Sequence, residues 1–182
     1  MIIIEGPDSS GKTTLCERLS KDLGGITINH FGGPPLSYAE TIERSFMSIS
    51  LMTQRIIQDR TPLISEPVYG RILRTDNVEY VTWPASFPVL KKMEPVIIYC
   101  RPPLQALGEI ASHEIKDYDT PEHVANLIEF RSAIIYRYDK LMDILRPSRY
   151  DFEGDTDGVA YANILTACNL KLEEIKNCFS AH

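Results

Sequence analysis

The stretch Met1-Ile2-Ile3-Ile4-Glu5-Gly6-Pro7-Asp8-Ser9-Ser10-Gly11-Lys12-Thr13-Thr14 determines how the rest of the chain is interpreted. It opens with a short apolar run, which is typical of a buried parallel strand. Residues 6–13 then fit the pattern G-x-x-x-x-G-K-[ST]. Leu15, Leu19 and Leu23 follow at the spacing of one helix face. A strand, a glycine-rich turn and an amphipathic helix in this order predict a phosphate-binding loop, not a chance Gly-Lys-Thr on a surface turn.

The residue types of this loop suit the binding of a nucleotide phosphate. Gly6 and Gly11 let the backbone turn so that successive N–H groups point at phosphate oxygens. The N-terminus of the following helix adds a positive field at the same place. Lys12 is expected to reach the β- and γ-phosphates, and the hydroxyl of Thr13 is expected to bind Mg²⁺.

Composition limits the class of protein. At 182 residues the chain fits one domain with a proper core. We find no apolar run near the roughly 20 residues that a membrane span needs, and no signal peptide. The net charge of −6 argues against a nucleic-acid partner without excluding one. The cysteines show no zinc spacing, which indicates reduced thiols in a cytoplasmic protein; they are Cys16, Cys100, Cys168 and Cys178.

Strand and helix signals alternate along the chain, which favours a parallel sheet with helices on both faces. Ser37 and Glu40 form a capping box that opens a helix carrying Ile42, Phe46 and Ile49 on one face. The remaining predicted elements are strands at 26–30, 56–59, 96–100 and 149–152, helices starting near 65 and at 104–112, a loop at 74–87, one long helix from Thr120-Pro121 to Leu145, and a last helix reaching Phe179.

Residues 5–14 and the pair Asp59-Arg60 resemble thymidylate kinase-like nucleoside monophosphate kinases. In that family the phosphate-binding loop commonly carries an aspartate two positions after its first glycine, as Asp8 does here. The resemblance implies an α/β fold, a doubly wound five-stranded parallel sheet in the order 2-3-1-4-5 with helices on both faces. It also implies a single P-loop kinase domain over residues 1–182, with a short lid at about residues 108–120.

In such a sheet the third strand lies beside the first, so that Asp59-Arg60 would emerge next to the phosphate-binding loop. The resemblance then implies ATP as donor, Mg²⁺ held by Thr13 and Asp59, and phosphates bridged by Arg60. A solvated pair at a strand end is the alternative. The expected catalytic residues are Lys12, Asp59, Arg60 and Asp8, and the expected ATP-binding residues are Gly6, Ser9, Ser10, Gly11, Lys12, Thr13 and Thr14. Residues 154–157 lie where the family cradles adenine.

By the same resemblance, Asp8 would accept a hydrogen bond from the 3′-hydroxyl of the acceptor sugar, although an aspartate can also stabilise its own turn. Tyr69 can equally be a core aromatic, Arg44 a solvated side chain, and Phe46 a core residue instead of a base contact. Glu43-Arg44-Ser45 matches a deoxynucleoside kinase motif but lies ahead of the third strand, which is the wrong context. The expected acceptor-binding residues are Asp8, Arg44, Arg60, Ser65, Glu66 and Tyr69.

The chain departs from the family at the lid. Residues 108–120 contain no arginine, and neither does the phosphate-binding loop. An arginine at this place can be worth orders of magnitude in rate. The lid candidates are therefore Lys116 and Arg131, and we predict that Arg131 contributes more than Arg137, because it is closer to the lid.

These features predict an ATP- and Mg²⁺-dependent kinase whose acceptor is a deoxynucleoside monophosphate of the thymidylate type. One alternative acceptor is a deoxynucleoside or a hydroxymethylated base in DNA, since a short lid leaves the cleft open. A second alternative is a P-loop protein that binds nucleotide without transferring phosphate. Expected partners are small-molecule nucleotides, with no membrane. A homodimer is a further possibility, because the stripe Ile42, Phe46 and Ile49 suits either a core or an interface.

Overall fold

The computed structural model describes residues 1–31, 33–74, 79–103 and 121–180. At its centre is a five-stranded, all-parallel sheet in the order β2-β3-β1-β4-β5. This confirms the predicted α/β class and strand order. The strands are β1 (Ile2–Glu5), β2 (Thr27–His30), β3 (Ile56–Asp59), β4 (Val96–Cys100) and β5 (Ser148–Tyr150). The helices are α1 (Lys12–Asp22), α2 (Tyr38–Ser50), α3 (Pro62–Leu73), α4 (Trp83–Met93), α5 (Pro121–Glu129), α6 (Arg131–Leu145) and α7 (Val159–Ser180).

The central strand β1 is buried on both faces, which explains why its sequence is apolar without alternation. Ile2 and Ile4 belong to a core cluster that includes Leu15 of α1 and residues of α7. Ile3 points the other way, into a cluster formed with α3, α4 and α6. Successive side chains of a strand alternate between its faces, so this one segment anchors both helical layers.

The register of β3 against β1 positions the second motif. Ile4 pairs with Asp59, and the backbone N–H of Arg60 donates to the Ile4 carbonyl at 2.9 Å. Glu5 is the last residue of β1 and directly precedes the glycine-rich loop. The carboxyl ends of β1 and β3 therefore bring residues 5–13 and residues 59–61 together at one edge of the sheet.

Three predicted elements differ from the structure. The helix expected from Ser65 begins at Pro62, because the side chain of Thr61 caps it by accepting from the Leu63 N–H at 3.3 Å. Pro67 consequently lies inside α3. Within the expected loop at 74–87, α4 begins at Trp83, since proline is tolerated in a first turn. The single long helix after residue 120 is two helices, α5 and α6, divided at Phe130.

Helix α2 packs with its polar side inward. Its N-cap is the predicted one, with Ser37 Oγ accepting from the Glu40 N–H at 3.2 Å. Its buried residues, however, are Thr41, Ser45 and Ser48, whereas Phe46 is 68% exposed. Ser48 bonds to Gln58 of β3 at 2.8 Å, so hydrogen bonds act beside the apolar contact of Ile49 beneath this helix. The expectation that Phe46 is a core residue is therefore wrong.

The helix expected at 104–112 and the lid at 108–120, with Lys116, lie outside the described residues. Among the helices that the structure describes, none is long and apolar enough to cross a membrane.

Candidate functional site

The loop between β1 and α1 has the geometry that a phosphate-binding loop needs. Gly6 has φ 151°, and a Cβ there would lie 2.4 Å from the Cys100 carbonyl oxygen. Gly11 has φ 79°, and a Cβ there would lie 2.9 Å from the ring of Phe152. Both positions therefore require glycine, for conformation and for space. Ser10 is buried within the loop, and α1 begins at Lys12 directly behind it.

Lys12 is folded into this loop. Its side chain is buried, and its ammonium donates to the Pro7 carbonyl at 2.5 Å and to Ser10 Oγ at 3.4 Å. Burial, together with the nearby Arg60 guanidinium, lowers the pKa of Lys12 below its ordinary value. The loop thus holds a desolvated cation beside backbone that can accept an anion, which favours the arrival of a phosphate.

Asp59 faces the loop from the end of β3. Its Oδ2 accepts from Thr13 Oγ1 at 3.4 Å and lies 3.0 Å from His30 Nδ1. Its Oδ1 is buried and makes no hydrogen bond to any residue in the described ranges. A buried carboxylate oxygen without a partner suits a hard cation, directly or through bound water. Thr13 and Asp59 therefore fit the Mg²⁺ ion expected from the sequence.

A second cluster joins Asp8 of the loop to Arg60 and Tyr69. Arg60 Nη2 donates to Asp8 Oδ1 at 2.6 Å, and the Tyr69 hydroxyl donates to Asp8 Oδ2 at 2.9 Å. The Arg60 guanidinium lies 5.0 Å from the centre of the Tyr69 ring. Arg60 has φ 70°, a left-handed conformation that is unfavourable for a residue with a Cβ. The guanidinium contacts Asp8, Tyr69 and Tyr138, whereas the neighbouring Asp59 contacts Thr13 and His30.

Glu5 lies beneath this cluster and is fully buried. Its Oε1 accepts from the Thr61 backbone N–H at 2.7 Å and from Ser65 Oγ at 3.2 Å. Its Oε2 accepts from the Tyr138 hydroxyl at 3.0 Å. Burial raises the pKa of Glu5 to about 7, and it does so against the opposing effects of Arg60, the Thr61 N–H, the Tyr138 hydroxyl and Lys12.

The other residues expected at the acceptor have different surroundings. Arg44 donates to the Gly33 carbonyl at 2.6 Å and pairs with Glu40 within α2. Glu66 is buried; it pairs with Arg74 and accepts from the Tyr80 N–H at 2.9 Å. Ser65 reaches the cluster only through Glu5. The structure therefore brings together Asp8, Arg60 and Tyr69 of the predicted acceptor set, and engages Arg44 and Glu66 in contacts that hold the fold.

The two arginines considered for the lid function differ in their contacts. Arg137 donates to the Pro67 carbonyl at 3.0 Å and 2.5 Å, and also pairs with Glu79 at 2.5 Å. Arg131, at the start of α6, is half-buried and makes no hydrogen bond or ion pair with the residues that the structure describes. Arg131 is thus the arginine whose guanidinium has donors left for a ligand.

Sequence reasoning missed Glu5, His30 and Tyr138. Glu5 is the only charged residue in the first seven, and a charge next to a buried strand was a usable signal. His30 ends a strand beside Asp59, which the predicted strand order could have shown. Tyr138 lies 133 residues from Glu5 along the chain, so no local sequence pattern predicts their contact.

A cavity of about 570 Å³ lies at the carboxyl ends of β4 and β5. Its walls include Arg101 after β4, Arg149 and Tyr150 of β5, and Gly154 and Asp155 of the following loop. Asp155 itself accepts from the N–H groups of Ala160 and Tyr161 at 2.9 and 3.0 Å, which fixes that loop to the start of α7. Gly154, Asp155 and Asp157 of the segment expected to cradle adenine therefore line this cavity.

No protein-family model matches the chain, and no curated protein matches it. Among solved structures it is similar to the YorR protein from Bacillus subtilis in complex with phosphorylated GDP, with 19% sequence identity, a TM-score of 0.60, and coverage of 95% of this chain and 96% of that chain. It is also similar to shikimate kinase from Aquifex aeolicus, with 14% identity, a TM-score of 0.52, and coverage of 94% and 98%. At these identities the likeness shows the fold, which is that of P-loop kinases.

Proposed function

We propose that this protein transfers the γ-phosphoryl group of ATP to a deoxynucleoside monophosphate, as thymidylate kinase-like enzymes do. The observation that carries the proposal is the presence of two separate clusters of polar side chains around one loop, each with one cation and one carboxylate. Lys12, Thr13 and Asp59 form the first, which we call the donor half. Asp8, Arg60 and Tyr69 form the second, which we call the acceptor half.

The donor half supplies what a triphosphate requires. The loop amides and Lys12 bind the β- and γ-phosphates, and the N-terminus of α1 favours their charge. Thr13 and Asp59 would hold Mg²⁺, which neutralises charge on the phosphate oxygens when bound. The cavity beside Arg101 and Gly154 would take the adenine. Phosphoryl transfer needs positioning and charge stabilisation more than covalent chemistry, and these residues provide both.

The acceptor half supplies what a nucleotide acceptor requires. The planar guanidinium of Arg60 has a fork of donors that matches the oxygens of a phosphate. The carboxylate of Asp8 is half-exposed and can accept from a sugar hydroxyl. A protein that only binds a nucleoside triphosphate has no need of this second polar cluster. The Arg60–Asp8 pair therefore favours a kinase over the non-catalytic alternative.

Because Arg60 and Asp8 are paired with each other here, acceptor binding must exchange this pair for contacts with the substrate. The acceptor phosphate replaces Asp8 as the partner of Arg60, and the sugar hydroxyl then donates to Asp8. Both groups remain satisfied throughout, so the exchange leaves no buried charge without a partner.

An ATP-consumption assay with Mg²⁺ tests the proposal, using all common deoxynucleoside monophosphates, the free nucleosides, guanosine nucleotides, and DNA containing hydroxymethyluracil. Guanosine nucleotides are included because YorR, of the same fold, was solved with phosphorylated GDP. Turnover with one or two deoxynucleoside monophosphates is the expected result. Turnover only with nucleosides or with the modified DNA would show that the acceptor is not a deoxynucleoside monophosphate. ATP binding without turnover on any of them would contradict the kinase proposal.

A further inference from the structure

Glu5 occupies a position that the proposed phosphoryl transfer does not explain. It ends β1 and directly precedes Gly6, the first residue of the phosphate-binding loop. Its carboxylate accepts from Thr61 and Ser65 at the start of α3 and from Tyr138 of α6. One side chain thus links the donor loop to the two helices that surround the acceptor half.

Through its contacts, Arg60 connects Glu5 to the acceptor half. Arg60 lies directly before Thr61, whose N–H donates to Glu5, and its Nη1 donates to the Tyr138 hydroxyl at 3.4 Å. Both the backbone after Arg60 and the aromatic group beside its guanidinium are therefore fixed by Glu5. Because Arg60 has a strained backbone conformation, it depends on such neighbours to keep its direction.

We propose that Glu5 is a positioning residue, which aims Arg60 at the acceptor phosphate while it is a carboxylate and releases it on protonation. This inference rests on the proposed function of the acceptor half. A carboxylate accepts at both oxygens, whereas a protonated carboxyl must donate at one of them. If the proton resides on Oε2, that O–H donates to the Tyr138 oxygen, so the Tyr138 hydroxyl must turn its own hydrogen away. The Tyr138 oxygen then accepts from Glu5 as well as from Arg60, which disturbs its contact with Arg60.

The surroundings of Glu5 cause it to gain or lose its proton near neutral pH. Burial raises the pKa of Glu5 to about 7. The charged and titratable groups that face it are Lys12 of the loop, Arg60 after β3, Cys100 at the end of β4 and Tyr138 of α6. Lys12 and Arg60 favour the carboxylate, and the dry surroundings oppose it.

The first arm of the test does not require turnover. Carbon-13 NMR of the glutamate side chains follows Glu5, assigned by comparison with the Glu5→Gln variant, while nitrogen-15 NMR follows the side chain of Arg60. We expect one glutamate signal to titrate near pH 7, and the Arg60 signal to move with the same midpoint. In Glu5→Gln the Arg60 signal should lose this step. An Arg60 signal that ignores the titration of Glu5 would overturn the proposal.

The second arm measures kcat/KM for the acceptor between pH 5.5 and pH 8.5. We expect wild-type kcat/KM to rise about tenfold through a step near pH 7, because a misdirected Arg60 binds the phosphate poorly. Glu5→Gln should lose that step and keep the Kd for ATP. Ionisation of the substrates is common to both proteins, so the ratio of wild-type to variant kcat/KM isolates the step that belongs to Glu5. A ratio that stays constant between pH 5.5 and pH 8.5 would contradict the role of Glu5.

Tyr138→Phe provides a test that leaves Glu5 in place, should Glu5→Gln fail to fold. Loss of the hydroxyl removes a hydrogen bond to the carboxylate, so the Glu5 midpoint should move to higher pH by about one unit. The step in the Arg60 signal should become smaller, because the hydroxyl that joins Glu5 to Arg60 is gone. An unchanged midpoint would contradict the inferred link. If no acceptor is found, the proposed function fails while the NMR arm still decides whether Glu5 controls Arg60.

Discussion

The donor half and the acceptor half share one loop but are built in different ways. Apart from Asp59, the donor half is continuous in sequence, since residues 6–14 supply the loop and the first turn of α1. The acceptor half is assembled from distant parts of the chain, with Arg60 and Tyr69 lying 52 and 61 residues from Asp8. Its supporting residues Glu5 and Tyr138 are further apart still. The donor half therefore combines the backbone of one short loop with a few side chains, whereas the acceptor half consists of side chains from several elements.

This difference predicts different sensitivities to substitution. A site made of backbone N–H groups and one lysine is changed most by loss of that lysine, because the amides cannot be removed by substitution. A site assembled from side chains distributes its energy over several contacts, each of which can be lost separately. The following substitutions compare the two halves, beginning with the largest expected effect.

Lys12→Met removes the single cationic side chain of the donor half. We expect kcat/KM for ATP to fall about 10³-fold, since Lys12 is placed to stabilise charge on the transferred phosphate. Steady-state kinetics with saturating acceptor measure this loss. Lys21→Met, at the exposed end of the same helix, is the matched control and should leave kinetics unchanged. A fall of less than tenfold in Lys12→Met would mean that the loop does not bind the donor.

Arg60→Lys keeps the positive charge of the acceptor half but replaces the planar fork with a single ammonium. We expect KM for the acceptor to rise about 30- to 100-fold while KM for ATP stays constant, because two parallel hydrogen bonds to the phosphate become one. Arg71→Lys on α3, whose side chain is 64% exposed, is the control. Equal changes in both KM values would show that the two halves are not separate.

Arg131→Ala and Arg137→Ala test which arginine of α6 takes the role of the arginine that residues 108–120 lack. Arg131 has donors available for a ligand, so its loss should lower kcat about 10²-fold, the smaller end of what one such donor contributes. Arg137 holds the Pro67 carbonyl and Glu79, so its loss should lower the melting temperature with little change in kcat. Kinetics and thermal melts of both variants distinguish the two roles. The opposite pattern, with kcat lost in Arg137→Ala alone, would assign the function to Arg137.

Tyr69→Phe removes one hydroxyl from the acceptor half. The Tyr69 hydroxyl donates to Asp8 Oδ2 at 2.9 Å, so its loss frees Asp8 to move. We expect KM for the acceptor to rise about fivefold, as for the loss of one hydrogen bond, with the Kd for ATP unchanged. Tyr80→Phe is the aromatic control, since Tyr80 packs beside Arg74 and Tyr38 instead. No change in KM would leave Tyr69 with a packing role alone.

The parts of the fold that sequence predicted correctly are those with strong local signals. The loop glycines and the cap at Ser37 follow from patterns of a few residues, and the strand order follows from the family resemblance of residues 5–14 and Asp59-Arg60. Helix α2 misled the prediction because hydrophobic spacing was assumed to mark the buried face. Ser48 is small enough to let α2 approach β3 and bonds with Gln58, so Phe46 faces outward while Ile49 still packs against the core. Packing across the molecule overrode the local pattern.

The candidate site shows the same division. Lys12, Thr13 and the Asp59-Arg60 pair were identified from motifs, and the structure places them at one edge of the sheet. Glu66 and Arg44 were expected at the acceptor from their position along the chain, yet their partners Arg74 and Gly33 could not be deduced from sequence spacing. The partnership of Glu5 with Tyr138 likewise depends on how α6 packs against the sheet. Contacts between distant elements are decided by tertiary structure alone.

The central claim is that donor and acceptor nucleotides bind on the two sides of one loop, close enough for direct transfer. Inhibitors with adenosine and a deoxynucleoside at the two ends of a pentaphosphate test this by isothermal titration calorimetry with Mg²⁺. We predict that one such compound binds at least about 100-fold more tightly than ATP, because it fills both halves at once. Arg60→Lys should remove most of that gain. A compound series that binds no more tightly than ATP would contradict the claim that the cluster around Arg60 is a nucleotide site.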